Sequence, residues 1–169
     1  MRSATTCPGC GVELPPSGLP AEDRRHASAE CWLLYGDVVG FELAHVAVLG
    51  RLHQLTVDAY GAQHAGPDPR GIRVAYSLAG LHLALERDRG GVEVREAHRR
   101  MGRPGPTWPA FVRPAGTGTV TVLDVAEAGL RADSVEGHAA AVRRWAEDVW
   151  RAWAPAHGAT AALCARLGL

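Results

Sequence analysis

The sequence predicts a mainly α-helical fold, an irregular bundle of four to six helices with a zinc-stabilised N-terminal loop region. Three observations support this prediction. Apolar residues recur at helical spacing along most of the chain. The segment Cys7-Pro8-Gly9-Cys10-Gly11 places two thiols on a turn built from Pro and Gly. Residues 119–122 form the one run typical of a β-strand, so we expect at most a minor β ribbon.

The first half of the chain predicts a loop region followed by three helices. Residues 1–26 contain prolines and glycines that oppose a long helix or strand. Ser28 is suited to cap a helix that enters at Ala29, and Gly40 would weaken that helix. A second helix is expected over about residues 44–64 and a third over about residues 69–87.

The second half predicts a loop between helices. A short helix is expected over residues 93–101, and the Pro- and Gly-rich residues 102–118 are expected to form a loop. Asp124 is placed to cap a short helix, and Ser134 to cap a long one with an apolar stripe. Pro155 should break that helix, and a terminal helix follows over residues 156–167.

Composition limits the classes of protein to which the chain can belong. It has 169 residues, of which 47% are hydrophobic, so we expect one domain, 1–169, in which a zinc-binding segment of residues 1–31 packs on a helical bundle of residues 32–169. Eighteen basic and eighteen acidic residues give a net charge of +0, which disfavours nucleic acid as a partner. All basic residues are arginine, which excludes Schiff-base and P-loop lysine chemistry.

The expected location is the cytoplasm. The first residues carry no apolar signal-peptide core, and no stretch approaches the roughly 20 apolar residues that a membrane span needs. We therefore expect no membrane partner. In a reducing compartment, paired cysteines indicate metal or redox chemistry rather than disulfides.

The Cys-x-x-Cys turn is typical of one half of a zinc site, with Cys7 and Cys10 as ligands. A redox pair is the alternative, but that motif usually follows a strand and none is predicted before Cys7. Cys31 is the expected third ligand, because a helix N-terminus favours a thiolate; its alternative is a buried thiol. The fourth ligand stays open. His26 is the first choice, and the rivals are His64, His53, His45 and Cys164.

One predicted helix carries a second candidate site. His53, Tyr60 and His64 lie along one helical face, whereas Asp58 points away from it. The functional interpretation is a polar cleft in which an imidazole serves as base, metal ligand or hydrogen-bond donor. The alternative is an ordinary face whose polar groups are satisfied by neighbours. Aromatic residues of the last helices either line the same cleft or belong to the core; these are Trp145, Trp150, Trp153 and His157.

The chain resembles a bacterial family classed as a domain of unknown function. The matching segments are the CPGCG turn, CWLLYG at residues 31–36, LTVDAYGAQH at residues 55–64 and WAEDVWRAW at residues 145–153. The resemblance implies a zinc ligand set that contains Cys7, Cys10 and Cys31, and it gives no support to Cys164. It implies no activity, substrate or partner.

Three functions follow as hypotheses. The first is a structural-zinc module that binds a protein or small molecule. The alternative is a metal-dependent enzyme, a hydrolase or transferase, with a cleft around His53, Tyr60 and His64. Nucleic-acid binding is disfavoured, because its four arginines lie in a Pro- and Gly-rich region typical of solvated surface: Arg99, Arg100, Arg103 and Arg113. Whether the chain forms a homo-oligomer is left open.

Overall fold

The computed structural model describes residues 4–20, 26–66, 71–102 and 107–169, and helices dominate these residues. The helices, in chain order, are α1 Ala29–Ala44, α2 Val46–Leu49, α3 His53–Gln63, α4 Gly71–Leu85, α5 Gly91–Met101, α6 Val122–Ala126, a π-helical turn Glu127–Arg131, α7 Val135–Ala152, a 3₁₀ turn Ala154–Ala156 and α8 His157–Leu167. The predicted mainly α-helical fold class is confirmed, although the described residues form eight α-helices where four to six were expected. No helix within the described ranges combines the length and apolar character needed to cross a membrane.

The β structure of the described residues is a ribbon of two short strands at the N-terminus. Strand β1, Thr5–Thr6, pairs antiparallel with β2, Glu13–Leu14, so that Thr5 lies opposite Leu14. The ribbon brackets the Cys7 turn and fixes its two ends. The minor ribbon allowed by the sequence therefore exists, and it lies on either side of the cysteine turn.

Residues 119–122 do not form a strand, and the cap expected at Asp124 lies elsewhere. The amides of Thr119 and Val120 both donate to Oδ2 of Asp148, which holds this segment against α7. Thr121 is the N-cap of α6 and accepts from the Leu123 amide at 3.2 Å. Asp124 accepts from the Thr121 amide instead, so it completes a capping box rather than starting the helix.

The prediction of a single helix over residues 44–64 is wrong, because the chain turns twice within this range. Ser28 caps α1 as predicted, and α1 continues through Gly40. The chain then forms α2, turns after Leu49 and enters α3 at His53. Leu49 and Leu52 are both buried, and the Leu52 amide donates to the Leu49 carbonyl. A continuous helix is lost because the turn places both leucines in the core.

The core of the bundle lies where α3 packs against α4 and α7. Small residues, Ala59 on α3 and Ala75 on α4, are completely buried there, which allows the helices to approach closely.

The third helix was expected to begin at residue 69, but residues 67–70 lie outside the described residues. The described helix, α4, ends two residues earlier than predicted, at Leu85.

The last two helices agree with prediction. Ser134 accepts from the Gly137 amide and caps α7, and Pro155 separates α7 from α8. The tryptophans of this region, Trp145, Trp150 and Trp153, are buried in the core. Trp145 donates to Gln63 Oε1 at 2.9 Å, and Trp150 stacks on His157 with ring centroids 3.7 Å apart.

A buried carboxylate joins α1, α3 and α7. Glu42 on α1 accepts from Nδ1 of His53 at 2.8 Å and from Nε2 of His138 at 3.0 Å, and Thr56 donates to it as well. Burial alone would raise the pKa of Glu42, but the hydrogen bonds from His138, His53 and Thr56 outweigh it and lower the pKa. The carboxylate is therefore ionised and satisfied inside the core.

We expect Glu42→Gln to destabilise the fold by roughly 1–3 kcal/mol, because one of the three donors then faces an amide NH₂ group. Urea unfolding at neutral pH measures the free energy of unfolding. Glu96→Gln is the matched control, since Glu96 is exposed and forms a surface ion pair with Arg99. Equal effects of the two substitutions would contradict a structural role for the Glu42 network.

Candidate metal centre

The N-terminal cysteines lie on a tight turn closed by backbone hydrogen bonds. The amide of Cys7 donates to the Val12 carbonyl, and the amide of Gly11 donates back to the Cys7 carbonyl, both at 2.9 Å. Gly11 has a φ of 77°, a left-handed conformation that glycine adopts at little cost. This turn holds Cys7 and Cys10 on the same side of the segment.

The third thiol enters from the first turn of α1. The Cys31 amide donates to Oγ of the N-cap Ser28 at 3.2 Å, and its side chain is completely buried. Its sulfur lies 3.8 Å from the sulfur of Cys10. The positive end of the α1 dipole favours negative charge at this position.

The fourth donor is His64, the residue that ends α3. Its Nδ1 lies 2.9 Å from the Tyr60 carbonyl. Because a carbonyl only accepts, Nδ1 carries the proton and Nε2 carries a free lone pair. Nε2 faces the sulfurs of Cys7 and Cys31, at 3.5 and 3.3 Å. The last turn of α3 thus presents the imidazole in the form that binds a metal.

The four donor atoms all lie within 4.8 Å of one another. A tetrahedral zinc ion, bound at typical Zn–S and Zn–N distances, would have S–S edges of about 3.8 Å and S–N edges of about 3.5 Å. The sulfur separation of 3.8 Å between Cys10 and Cys31 and the two contacts of His64 at 3.5 and 3.3 Å fit these edges. The Cys₃His group can therefore hold a metal ion.

Without a cation, the three thiols oppose each other's ionisation. Hydrogen bonds from Cys10 and Cys31 hold the pKa of Cys7 well below its ordinary value. Hydrogen bonding to Cys10 and Cys7, together with burial, raises the pKa of Cys31 far above it. The hydrogen bond with Cys31 lowers the pKa of Cys10. The hydrogen bond with Cys7 and burial outweigh it, and the pKa of Cys10 is raised to about 12. Ionisation of one thiol thus disfavours ionisation of the other two. A bound dication would offset the negative charge of three thiolates.

His26, the first choice for the fourth ligand, is not in this group of four donors. Its ring hydrogen-bonds to the backbone of Pro8, and burial lowers its pKa. Its backbone has a φ of 50°. His26 therefore contacts the turn that carries the cysteines, whereas the donor that meets the sulfurs is His64.

The residues predicted to form a cleft on α3 lie in three different parts of the structure. Tyr60 lies against the metal centre, with its hydroxyl 3.7 Å from the Cys31 sulfur and its ring stacked on His64. His53 binds Glu42 instead, and Asp58 lies against α4. The structure therefore does not bring His53 together with Tyr60 and His64.

The remaining rivals for the fourth ligand are engaged away from the centre. His45 bonds through Nδ1 to the Phe41 carbonyl at 3.0 Å. Cys164 is buried on α8, where burial raises its pKa to about 11.

Two residues of the segment between α5 and α6, Arg113 and Thr117, support the cysteine turn. Arg113 and Thr117 both donate to the Gly9 carbonyl, at 2.8 and 3.1 Å. More than 100 residues separate each of them from Gly9. No local pattern identifies such a contact.

The fold and this site define a helical protein with a Cys₃His group able to bind a metal. Residues 5–154 match the family of unknown function DUF5946, and the chain belongs to that family. This agrees with the resemblance found from the sequence, whose individual motifs and bacterial origin stay predictions. No curated protein and no solved structure shows significant similarity to the chain.

We expect Gly9→Ala to destabilise the protein by roughly 1–3 kcal/mol, because overpacking forces its neighbours to move. A methyl group there would meet Cδ2 of His64 at 2.4 Å and the His26 carbonyl oxygen at 2.5 Å. Urea unfolding in the presence of Zn²⁺ measures the effect.

Gly36→Ala is the matched control. A Cβ at position 36 meets no atom within 4 Å, and the residue lies inside α1, so this change should be neutral or stabilise by up to about 1 kcal/mol. A Gly9→Ala variant as stable as the control would contradict the close packing of the turn on His64.

Proposed function

We propose that Cys7, Cys10, Cys31 and His64 bind one zinc ion with a structural role, in a single-domain binding module of the DUF5946 family. The observation that carries this proposal is that the donor pairs Cys7–His64, Cys10–Cys31 and Cys31–His64, at 3.5, 3.8 and 3.3 Å, match the edges of a zinc tetrahedron, while all four donor atoms lie within 4.8 Å of one another. Four protein donors account for all four vertices.

Zinc is the metal that the donor types favour. Three thiolates and one neutral imidazole form a soft, tetrahedral set, which is typical of structural zinc and disfavours Mg²⁺ or Ca²⁺. The Nδ1 hydrogen bond of His64 to the Tyr60 carbonyl orients the ring, as second-shell contacts of zinc-bound histidines usually do.

The ion would act as a cross-link between segments that are far apart in sequence. It joins the turn at Cys7 to the start of α1 and the end of α3. Apart from Cys7, the described residues that precede α1 contribute few buried apolar side chains, namely Val12, Leu14 and Ala27. Metal binding would therefore contribute directly to the free energy that holds this segment on the bundle.

The enzyme alternative requires a different arrangement. A catalytic zinc keeps one position for water, with three protein ligands. Here His64 supplies a fourth donor, and His53 is held by Glu42. These contacts favour the structural module over a hydrolase or transferase.

We expect one Zn²⁺ per chain after purification, measured by elemental analysis. His64→Ala should lower the zinc content or weaken zinc affinity by at least about tenfold, because second-shell changes alone cost that much. His26→Ala is the matched control and should keep one zinc with nearly unchanged affinity. Substitution by Co²⁺ should give the visible bands of a tetrahedral, sulfur-rich site.

The opposite result would assign the ligand differently. If His26→Ala lost the metal and His64→Ala kept it, the fourth ligand would be His26. A cobalt spectrum of a five- or six-coordinate ion with exchangeable water would instead support the enzyme alternative.

A further inference from the structure

Exposed apolar residues are concentrated on the outer side of α1 and α2. Four of the large apolar side chains that are exposed among the described residues lie within residues 33–48, at 49% to 60% exposure: Leu33, Leu43, Val46 and Val48. The others lie singly on separate segments: Leu19, Ile72, Val92 and Val112. Single exposed apolar residues are ordinary, whereas a contiguous patch marks an interaction site.

The backbone keeps a helical course from α1 into α2, so the two helices share an inner and an outer side. The amide of His45 donates to the Phe41 carbonyl, and the amide of Leu49 donates to the His45 carbonyl. Val38, Glu42 and Leu49 are buried at spacings of four and seven residues, which places them together on the inner side. The outer side is the one opposite to these three residues.

The outer side carries six exposed apolar residues, which we call the α1–α2 face: Leu33, Gly40, Leu43, Ala44, Ala47 and Val48. Leu33, Gly40, Ala44 and Ala47 follow at spacings of seven, four and three residues, so they form one line along the helix. The exposed charged residue between positions 29 and 50 is Asp37, at the edge of this line. A helix that is apolar on both sides is normally buried, so this face requires a partner.

The α1–α2 face is complementary to a second copy of itself. A Cβ at Gly40 would meet no atom within 4 Å, so the backbone there is open to close approach. Leu33 and Ala47 are each seven residues from Gly40, in opposite directions. A two-fold axis at Gly40 would therefore place the large side chain of each copy against the small one of the other.

The area of the face suits a small dimer interface. The exposed fractions of the face and of Val46 amount to roughly 500 Å² on one chain, so two copies would bury roughly 1,000 Å², the lower limit for a specific interface. The net charge of +0 means that two copies do not repel each other. An interface of this size is typical of a weak, reversible dimer.

The charges of this segment do not favour a membrane as the partner. Helices that lie in a membrane surface carry Lys or Arg beside their apolar face. Residues 29–50 contain neither Lys nor Arg, and Asp37 adds a negative charge.

We propose that the chain forms a two-fold symmetric dimer through the α1–α2 face, with the two α1 helices antiparallel and crossing at Gly40. Sedimentation equilibrium on the full-length, zinc-loaded chain should give a mass that rises from 17.9 kDa towards twice that value through the micromolar concentration range. The mass of one chain at every concentration, or a mass that passes beyond two chains, would overturn the proposal. Binding to vesicles of phosphatidylcholine and phosphatidylserine by a chain that stays monomeric without them would assign the face to a membrane and overturn it as well.

Gly40→Glu tests the location of the interface. The dissociation constant of the dimer should rise at least about tenfold, because the new side chain would lie at the centre of the interface. The variant should keep its fold, since Glu is a better helix former than Gly and its Cβ meets no atom.

Gly158→Glu is the matched control. Gly158 is an exposed glycine on α8, and a Cβ there also meets no atom within 4 Å. This variant should dimerise as the unmodified chain does. A dimer that is unchanged in Gly40→Glu, or weakened equally in both variants, would overturn the assignment to the α1–α2 face.

A second pair of variants keeps the location testable if Gly40→Glu fails to fold. Leu43 is 60% exposed on the face, and Val92 is 69% exposed on α5. Leu43→Glu should weaken the dimer, whereas Val92→Glu should leave it unchanged. Equal dimerisation of these two variants would contradict the proposed interface.

The dimer does not rest on the proposed zinc module, because the α1–α2 face contains none of the four donors. Zinc content is measured on every sample. A dimer that holds no zinc contradicts only the zinc module, whereas a zinc-bound monomer contradicts only the interface. The two proposals therefore fail separately.

Discussion

The convergence of four donor atoms from three separate segments is the constraint on which the N-terminal half of the structure depends. Cys7 and Cys10 lie on one turn, Cys31 lies in the first turn of α1, and His64 is the C-cap of α3. Each of these positions lies in a turn or near a helix end, where backbone N–H and C=O groups lack intrahelical partners and can orient a side chain. The Ser28 cap and the Tyr60 carbonyl use these groups to fix Cys31 and His64. Three thiolates in this arrangement would repel one another, and a bound dication would offset that repulsion.

The surroundings of the cluster extend this constraint to the rest of the chain. Tyr60 stacks on His64 on one side and on Tyr35 on the other. Burial raises the pKa of Tyr60, so its hydroxyl keeps its proton and can donate to the Cys31 sulfur. The same ring forms part of the wall of a cavity between α1 and α4. A change in the position of Tyr60 would therefore affect the metal centre and the cavity together.

The two buried carboxylates show how local partners decide the behaviour of a charge in the core. Glu42 accepts from three side chains, and these contacts lower its pKa despite burial. Among the described residues Asp58 accepts a hydrogen bond only from Gln54, and its pKa is raised because burial dominates. Glu42 thus connects α1 to α3 and α7 through its hydrogen bonds. Asp58 has an oxygen, Oδ2, that is packed against Gly80 with no hydrogen-bond partner among the described residues, and burial favours its neutral form.

The sequence by itself determined the features that depend on neighbours along the chain. The caps at Ser28 and Ser134 and the turn with its two cysteines follow from local backbone chemistry, and the structure confirms them. Only the tertiary structure decided that His64, rather than His26, meets the sulfurs, because that choice depends on how α3 packs beside α1. It also decided that residues 119–122 bind Asp148 instead of forming a strand. Such contacts join residues that are tens of positions apart, and no periodicity or motif encodes which distant side chain completes them.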